Sequence, residues 1–157
     1  SIYLDNKKYV KGGFVNKKVL SAYVKECIKE FEIACDSEQS PVRMLSGGNI
    51  QKVIVAREFT SGANLIIANQ PTRGIDVGTA SLIHRLLHKY TREKKFAVLL
   101  ISSDLNEILN LSDRLLVMRD GSIGAQFVEM DKVTDEMLGE YMLGIKKMTP
   151  EERGELY

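Results

Sequence analysis

The chain has 157 residues, enough for one domain with a moderate core. Its 22 Lys and Arg against 21 Asp and Glu leave no bulk electrostatic case for nucleic acid or an anionic membrane surface. No apolar run approaches the ~20 residues that span a bilayer, and the start has neither the basic segment nor the apolar core of a signal peptide. Cys27 and Cys35 are too few for a disulfide framework. In a mostly helical stretch they would lie about 12 Å apart along the axis, too far to bridge, so reduced thiols in the cytosol are expected.

Residues 1–14 read as an irregular, basic edge, with Lys7, Lys8 and Lys11 ahead of Gly12-Gly13. Asn16, a good N-cap residue, predicts a helix to about Ile33. Val15, Val19, Leu20, Tyr23, Val24, Cys27, Ile28 and Phe31 recur at three and four and make one apolar stripe. Asp36 to Pro41 is a polar break. The run Leu45-Ser46-Gly47-Gly48-Asn49-Ile50-Gln51-Lys52 then opens a second helix, expected to turn Ile50, Val53, Ile54 and Phe59 inward. Paired glycines at a helix N-terminus leave backbone N–H groups free and let an anion approach closely, and the helix dipole adds roughly half a positive charge there.

Leu65-Ile66-Ile67-Ala68 suits a fully buried parallel strand. Its polar end, Asn69-Gln70 before Pro71, would lie at the carboxyl edge of the sheet, where open α/β folds bind ligands. Asp76 can cap a helix over 77–91 with Ile83, Leu86, Leu87 and Tyr90 as its buried face, and residues 96–101 make a second buried strand. His84 and His88 are four apart, but H-R-L-L-H lacks the Glu of the zinc protease motif and no nearby acid completes a metal set, so both read as structural. Asp104 with Glu107 is an Asp variant of the capping box and opens a short helix through Leu111. Asp120-Gly121, between residues 114–118 and 122–128, is a strong hairpin signal. A last helix over 134–143 uses Met137, Leu138, Tyr141 and Met142, and the tail after Pro150 is expected to fray. Lys94-Lys95 and Lys146-Lys147 are too short to be more than solvated charge.

Two segments together resemble the ABC-type ATPases, the nucleotide-binding subunits of ATP-driven transporters. Leu45-Ser46-Gly47-Gly48 match the family's signature motif, with Asn49 following and Gln51-Lys52 its usual continuation. Leu65 to Gln70 match the Walker B strand, and Arg73-Gly74-Ile75-Asp76 the D-loop. The resemblance covers roughly residues 14–145 and implies an α/β fold, the partial P-loop NTPase fold with a mostly parallel sheet flanked by helices. It implies three segments: 1–44 in the helical subdomain that touches the membrane subunits, 45–145 in the ATPase core, and 146–157 as a tail. No G-x-x-x-x-G-K-[ST] run occurs. Since the family's P-loop precedes the signature, the chain reads as a truncation of a longer protein.

Three positions depart from the family pattern. Asn69 stands where the Walker B Asp helps hold Mg²⁺, and Gln70 where a Glu polarises the attacking water. Neutral amides offer neither the anionic oxygens a hard cation prefers nor a basic carboxylate. Ser103 stands at the switch His; it can donate a hydrogen bond to a γ-phosphate but carries no positive charge. This half-site therefore reads as degenerate, and an engineered Gln70 alone would not account for Asn69 and Ser103. Asn-Gln-Pro-Thr-Arg-Gly-Ile-Asp resembles the second nucleotide-binding domain of simple-sugar and nucleoside importers.

The resemblance then implies that Ser46 and the Gly47 and Gly48 amides, with Leu45, Asn49, Gln51 and Asp76 around them, serve ATP held by the P-loop of a partner domain. It implies MgATP as cofactor of the intact protein, with none expected for this chain alone, which should not hydrolyse ATP by itself. Expected partners are the P-loop-bearing domain and the membrane permease, without nucleic acid, at the inner face of the cell membrane. Asp76 serves equally as a D-loop residue and as a simple helix cap. A chromosome-maintenance or DNA-repair ATPase would carry sustained heptad arms, and a translation factor an intact Asp-Glu pair. A binding module that has lost nucleotide chemistry shares every motif.

Overall fold

The computed structural model describes residues 9–11, 14–94 and 96–154, with Val10 and Lys11 by their backbone alone. The rest of the expected N-terminal edge, Lys95 and residues 155–157 lie outside the described residues. The chain divides into two compact units, one to Leu99 and one from Leu100.

Among the described residues of the first unit, the earliest elements form a short antiparallel hairpin, β1 (Val10–Lys11) and β2 (Phe14–Val15), paired Val10 to Val15 and Lys11 to Phe14. Part of the edge expected to be irregular is thus ordered, and Val15 belongs to a strand rather than to the helical stripe. Asn16 then caps α1 (Lys17–Glu30), its side chain accepting the Val19 N–H. None of the helix's residues is fully buried. Of the predicted stripe, Leu20, Tyr23, Val24, Cys27 and Ile28 are half-buried and Val19 is exposed; its contacts include the Tyr9–Tyr23 ring pair at 5.1 Å and the Tyr23 hydroxyl on Thr60 Oγ1.

The helix ends on Phe31, which is 0% exposed and forms the centre of this unit's core. Its ring lies 6.4 Å from Phe59 and 6.0 Å from Tyr90, and Tyr90 in turn 4.8 Å from Phe59 and 5.8 Å from Phe96. The reversal after α1 places Glu32 at φ +50°, with the Ile33 N–H on the Ile28 carbonyl and the Glu32 N–H on that of Lys29. This is the left-handed helix ending that glycine usually supplies. Lys52 Nζ donates to the Glu32 carbonyl at 2.9 Å and holds the corner against the next helix.

A 3₁₀ turn (Val42–Met44) leads into α2 (Gly47–Phe59). Its buried residues are Val55, Ala56 and Phe59. Of the four residues expected inward only Phe59 is buried; Ile50 and Val53 are half-buried and Ile54 is 39% exposed. The inward seam is the one packed on α3 (Val77–Glu93), and Ile54 instead lines a cleft of about 150 Å³ bounded by Ile66, Ile67, Ile83 and Leu87. In α3, Thr79, Leu82, Ile83, Leu86, Leu87 and Tyr90 are buried at helical spacing, including all four expected residues.

The strand β3 (Leu65–Asn69) pairs with β4 (Ala97–Ile101), and the Ala97 N–H donates to the Asn64 carbonyl. Both were expected to be buried throughout, but only Ile66 is; Ile67 is 63% exposed and Leu65, Leu99 and Ile101 are exposed too. Burial alternates along both strands, with Ile66 covered beside α2 and α3 and Ile67 exposed although it borders the same cleft.

The second unit contains α4 (Leu105–Leu111), β5 (Leu115–Arg119), β6 (Ser122–Phe127) and α5 (Asp135–Leu143). Asp104 caps α4 by accepting the Glu107 N–H, while the Glu107 side chain, expected at the helix mouth, is buried. The β5–β6 hairpin turns on Asp120 at φ +47° and Gly121 at φ +71°, the pair of positive values that a two-residue primed turn requires. Its inward residues Leu115, Val117, Ala125 and Phe127 pack with Leu138 of α5, and Met137 and Tyr141 join that core while Met142 stays exposed. Residues 150–154 are not frayed: Arg153 Nη1 donates to the Ile123 carbonyl, and Thr149 and Glu152 cap one another's N–H.

Candidate nucleotide site at the start of helix α2

Leu45 is extended after the 3₁₀ turn, and Ser46 (φ −64°, ψ 159°) caps α2. Ser46 Oγ accepts from the Asn49 N–H at 3.4 Å and from Asn49 Nδ2 at 3.0 Å. Ser46 and Gly47 are exposed at a helix end whose first N–H groups have no partner within the helix.

The two glycines do different work. A Cβ added at Gly47 would meet nothing within 4 Å, so this protein's own packing does not demand glycine there. A Cβ added at Gly48 would lie 2.9 Å from Thr79 Oγ1 and 3.2 Å from Asp76 Oδ2. Gly48 is where α2 touches the start of α3. Asp76 caps α3, accepting the Thr79 N–H at 2.9 Å and the Thr79 hydroxyl at 2.8 Å. Those bonds, the backbone one first and the hydroxyl second, hold the exposed carboxyl below its usual range. Thr79 cannot turn its hydroxyl away from Gly48 without giving up the bond to Asp76. Gly48→Ala is therefore expected to destabilise the chain by about 1–3 kcal/mol, whereas Gly47→Ala should leave the urea midpoint unchanged or slightly raised.

Gln51 Nε2 donates to the Pro71 carbonyl at 3.0 Å and ties α2 to the loop after β3. Asn69 is exposed at the strand's end and Gln70 is half-buried with φ +50°, a left-handed conformation uncommon outside glycine and asparagine. The start of α2, the loop after β3 and the start of α3 thus meet through Gly48–Asp76 and Gln51–Pro71. Ser103 is exposed between β4 and α4, in the second unit. Thr79 was not among the expected site residues; its signal was the three-residue offset from the capping Asp76. Ala34, whose N–H donates to Asn49 Oδ1 at 2.8 Å, gave no sequence signal.

Among the described residues no group of three His, Cys, Asp or Glu could hold a metal ion, and no helix is long and apolar enough to cross a membrane. His84 is half-buried and His88 exposed. The end of β3 does not suit Mg²⁺, since Asn69 and Gln70 present neutral amides where a hard cation takes carboxylate oxygens.

No family model matches the chain. It is 42% identical over 134 residues to the nucleoside import ATP-binding protein NupA of Lactococcus lactis, covering 85% of this chain and 26% of that protein. The ribose import ATP-binding protein RbsA of Oceanobacillus iheyensis is 38% identical over 132 residues, covering 84% of this chain and 26% of that one. The chain thus spans about a quarter of the length of these relatives. Among solved structures, the dimeric structure of MJ0796, a bacterial ABC transporter cassette, superposes with a TM-score of 0.63 at 26% identity. It covers 75% of this chain and 50% of that one. By its 38–42% identity over most of its length to these import ATP-binding proteins and its superposition on the cassette, the chain belongs to the ABC-type ATPases.

Proposed function

We propose that the chain is the C-terminal part of the second nucleotide-binding domain of an importer's ATP-binding subunit, moving a nucleoside or a simple sugar. It supplies its signature to ATP held in trans. The observation that carries this reading is the open donor end of α2: Ser46 and Gly47 exposed, with free space over Gly47, beside a Gly48 locked to Asp76 and Thr79. On this reading the Gly47 and Gly48 N–H groups and the Ser46 hydroxyl donate to the anion that the helix dipole favours there. A γ-phosphate on the P-loop of a partner domain fits that chemistry.

On this reading residues 1–44 belong to the helical subdomain that meets the permease, 45–145 to the ATPase core, and 146–157 to the tail. The intact protein uses MgATP and works as a peripheral subunit at the inner face of the cell membrane. The Asn69, Gln70 and Ser103 positions make the chain's own half-site a binding site without turnover. Catalysis falls to the site built from the partner's P-loop and this signature.

Disabling the two P-loops of the full-length protein in turn tests the asymmetry. Loss of the partner domain's P-loop should abolish ATP turnover, while loss of the P-loop belonging to this domain should leave a large part of it. Equal losses from the two changes would contradict the reading.

A further inference from the structure

Asn49 sits between two groups that determine which way its amide points. Its Oδ1 lies 2.8 Å from the Ala34 backbone N, and its other amide atom lies 3.0 Å from Ser46 Oγ. The Ala34 N–H can only donate, so the atom facing it is the carbonyl oxygen, and the orientation of the amide follows from that partner alone. Nδ2 then faces Ser46 and donates to its hydroxyl oxygen. The Asn49 backbone N–H donates to the same oxygen at 3.4 Å. A serine hydroxyl has two acceptor lone pairs and one proton. With both lone pairs engaged, its proton has to point away from α2.

The anchor behind this arrangement is itself fixed. Ala34 follows the left-handed corner at Glu32, and that corner is held to α2 by Lys52 Nζ on the Glu32 carbonyl at 2.9 Å. Arg85 of α3 reaches Glu32 Oε1 at 3.3 Å. Ser46 is exposed and a Cβ at the neighbouring Gly47 would meet nothing within 4 Å, so an outward proton has room for a ligand acceptor at this helix end.

We infer that Asn49 is a positioning residue that commits the Ser46 hydroxyl to donating outward, to a phosphate oxygen. This rests on the trans phosphate site proposed above and adds a specific division of labour: Ser46 touches the ligand, and Asn49 acts only through Ser46. A hydroxyl free to rotate spends part of its time with its proton turned inward; one with both lone pairs occupied does not. The Ala34 N–H is equally part of the device, since it selects the amide orientation.

The test is a double-mutant cycle on the full-length protein, with MgATP affinity as readout and the thermal midpoint recorded for each variant. Asn49→Ala should weaken ATP binding about threefold to tenfold, the scale of one hydrogen bond. Asn49→Asp is nearly isosteric and keeps an acceptor for Ala34, so it guards against a variant that merely unfolds. It puts an acceptor opposite Ser46, draws the hydroxyl proton inward and should cost about tenfold or more. In a Ser46→Ala background both effects should largely vanish. A charge effect of the aspartate, or a structural role of Asn49, would persist in that background. Full additivity, or unchanged affinity in Asn49→Ala, overturns the inference. So does unchanged affinity in Ser46→Ala if Ser46→Arg abolishes binding. Unchanged affinity in Ser46→Arg as well overturns the phosphate site itself.

Discussion

Ser46→Arg in the full-length protein is expected to lower ATP turnover at least ~100-fold while leaving the fold intact. Two effects combine. Arginine cannot cap α2, which loses about 1 kcal/mol of helix-end stabilisation. More important, its long side chain fills the open space beside Gly47 that a phosphate has to enter, and the outward hydroxyl donor is gone. Removing one donor aimed at charge that develops in a transition state costs ~10²–10³ in rate at an oxyanion hole, and a γ-phosphate places the same demand on Ser46. Steady-state ATPase measurement together with the thermal midpoint separates the two: turnover should collapse while the midpoint moves by a few degrees. A variant that retains wild-type turnover would remove Ser46 from the site.

The largest stability effect is expected from Phe31→Ala. Phe31 is wholly buried and is the residue on which Phe59 and Tyr90 converge. Truncating a buried phenylalanine costs about 3–5 kcal/mol, the lost transfer energy plus the cavity that remains. Folded domains have only about 5–15 kcal/mol in total. Urea unfolding should therefore show a large drop in midpoint. The corner at Glu32 to Ala34 follows Phe31 directly, so the Ala34–Asn49 bond should loosen with it. A loss below ~1 kcal/mol would mean that the aromatic cluster is not the centre of the core.

The parts of this fold legible in the sequence are those set by atoms close together along the chain. Asn16, Ser46, Asp76, Asp104 and Thr134 each cap the helix that follows by accepting an N–H three residues on. The Asp120-Gly121 turn is equally local, since it needs two residues that accept positive φ. Helix α3 was legible because its stripe of buried residues is regular and strongly segregated. Helix α2 misled because apolar residues lie on several of its sides, and only packing decides which side is covered. In β3 an unbroken apolar run carries no alternation, so nothing in Leu65-Ile66-Ile67 says that Ile66 alone goes inward.

The candidate site divides the same way. Motif order supplied Ser46, Gly47, Gly48 and Asp76, because each chemical role needs a particular residue type. The approach of Gly48 to Thr79, the bond from Gln51 to Pro71 and the bridge from Ala34 through Asn49 to Ser46 join residues distant in sequence. Periodicity and motif spacing contain no term for such contacts. Glu107 shows the limit from the other side: the capping pattern marked its place three residues after Asp104, and only tertiary packing decides that its side chain is buried.

This chain is expected to contribute a signature to a phosphate held by another domain and to bind MgATP only when the P-loop-bearing part of the protein is present. Calorimetric titration of MgATP into the chain alone, and then into the chain mixed with the P-loop-bearing remainder of the protein, tests it most directly. No heat of binding alone, with binding and turnover appearing in the mixture, is the predicted result. Tight binding of MgATP by the chain alone would contradict it.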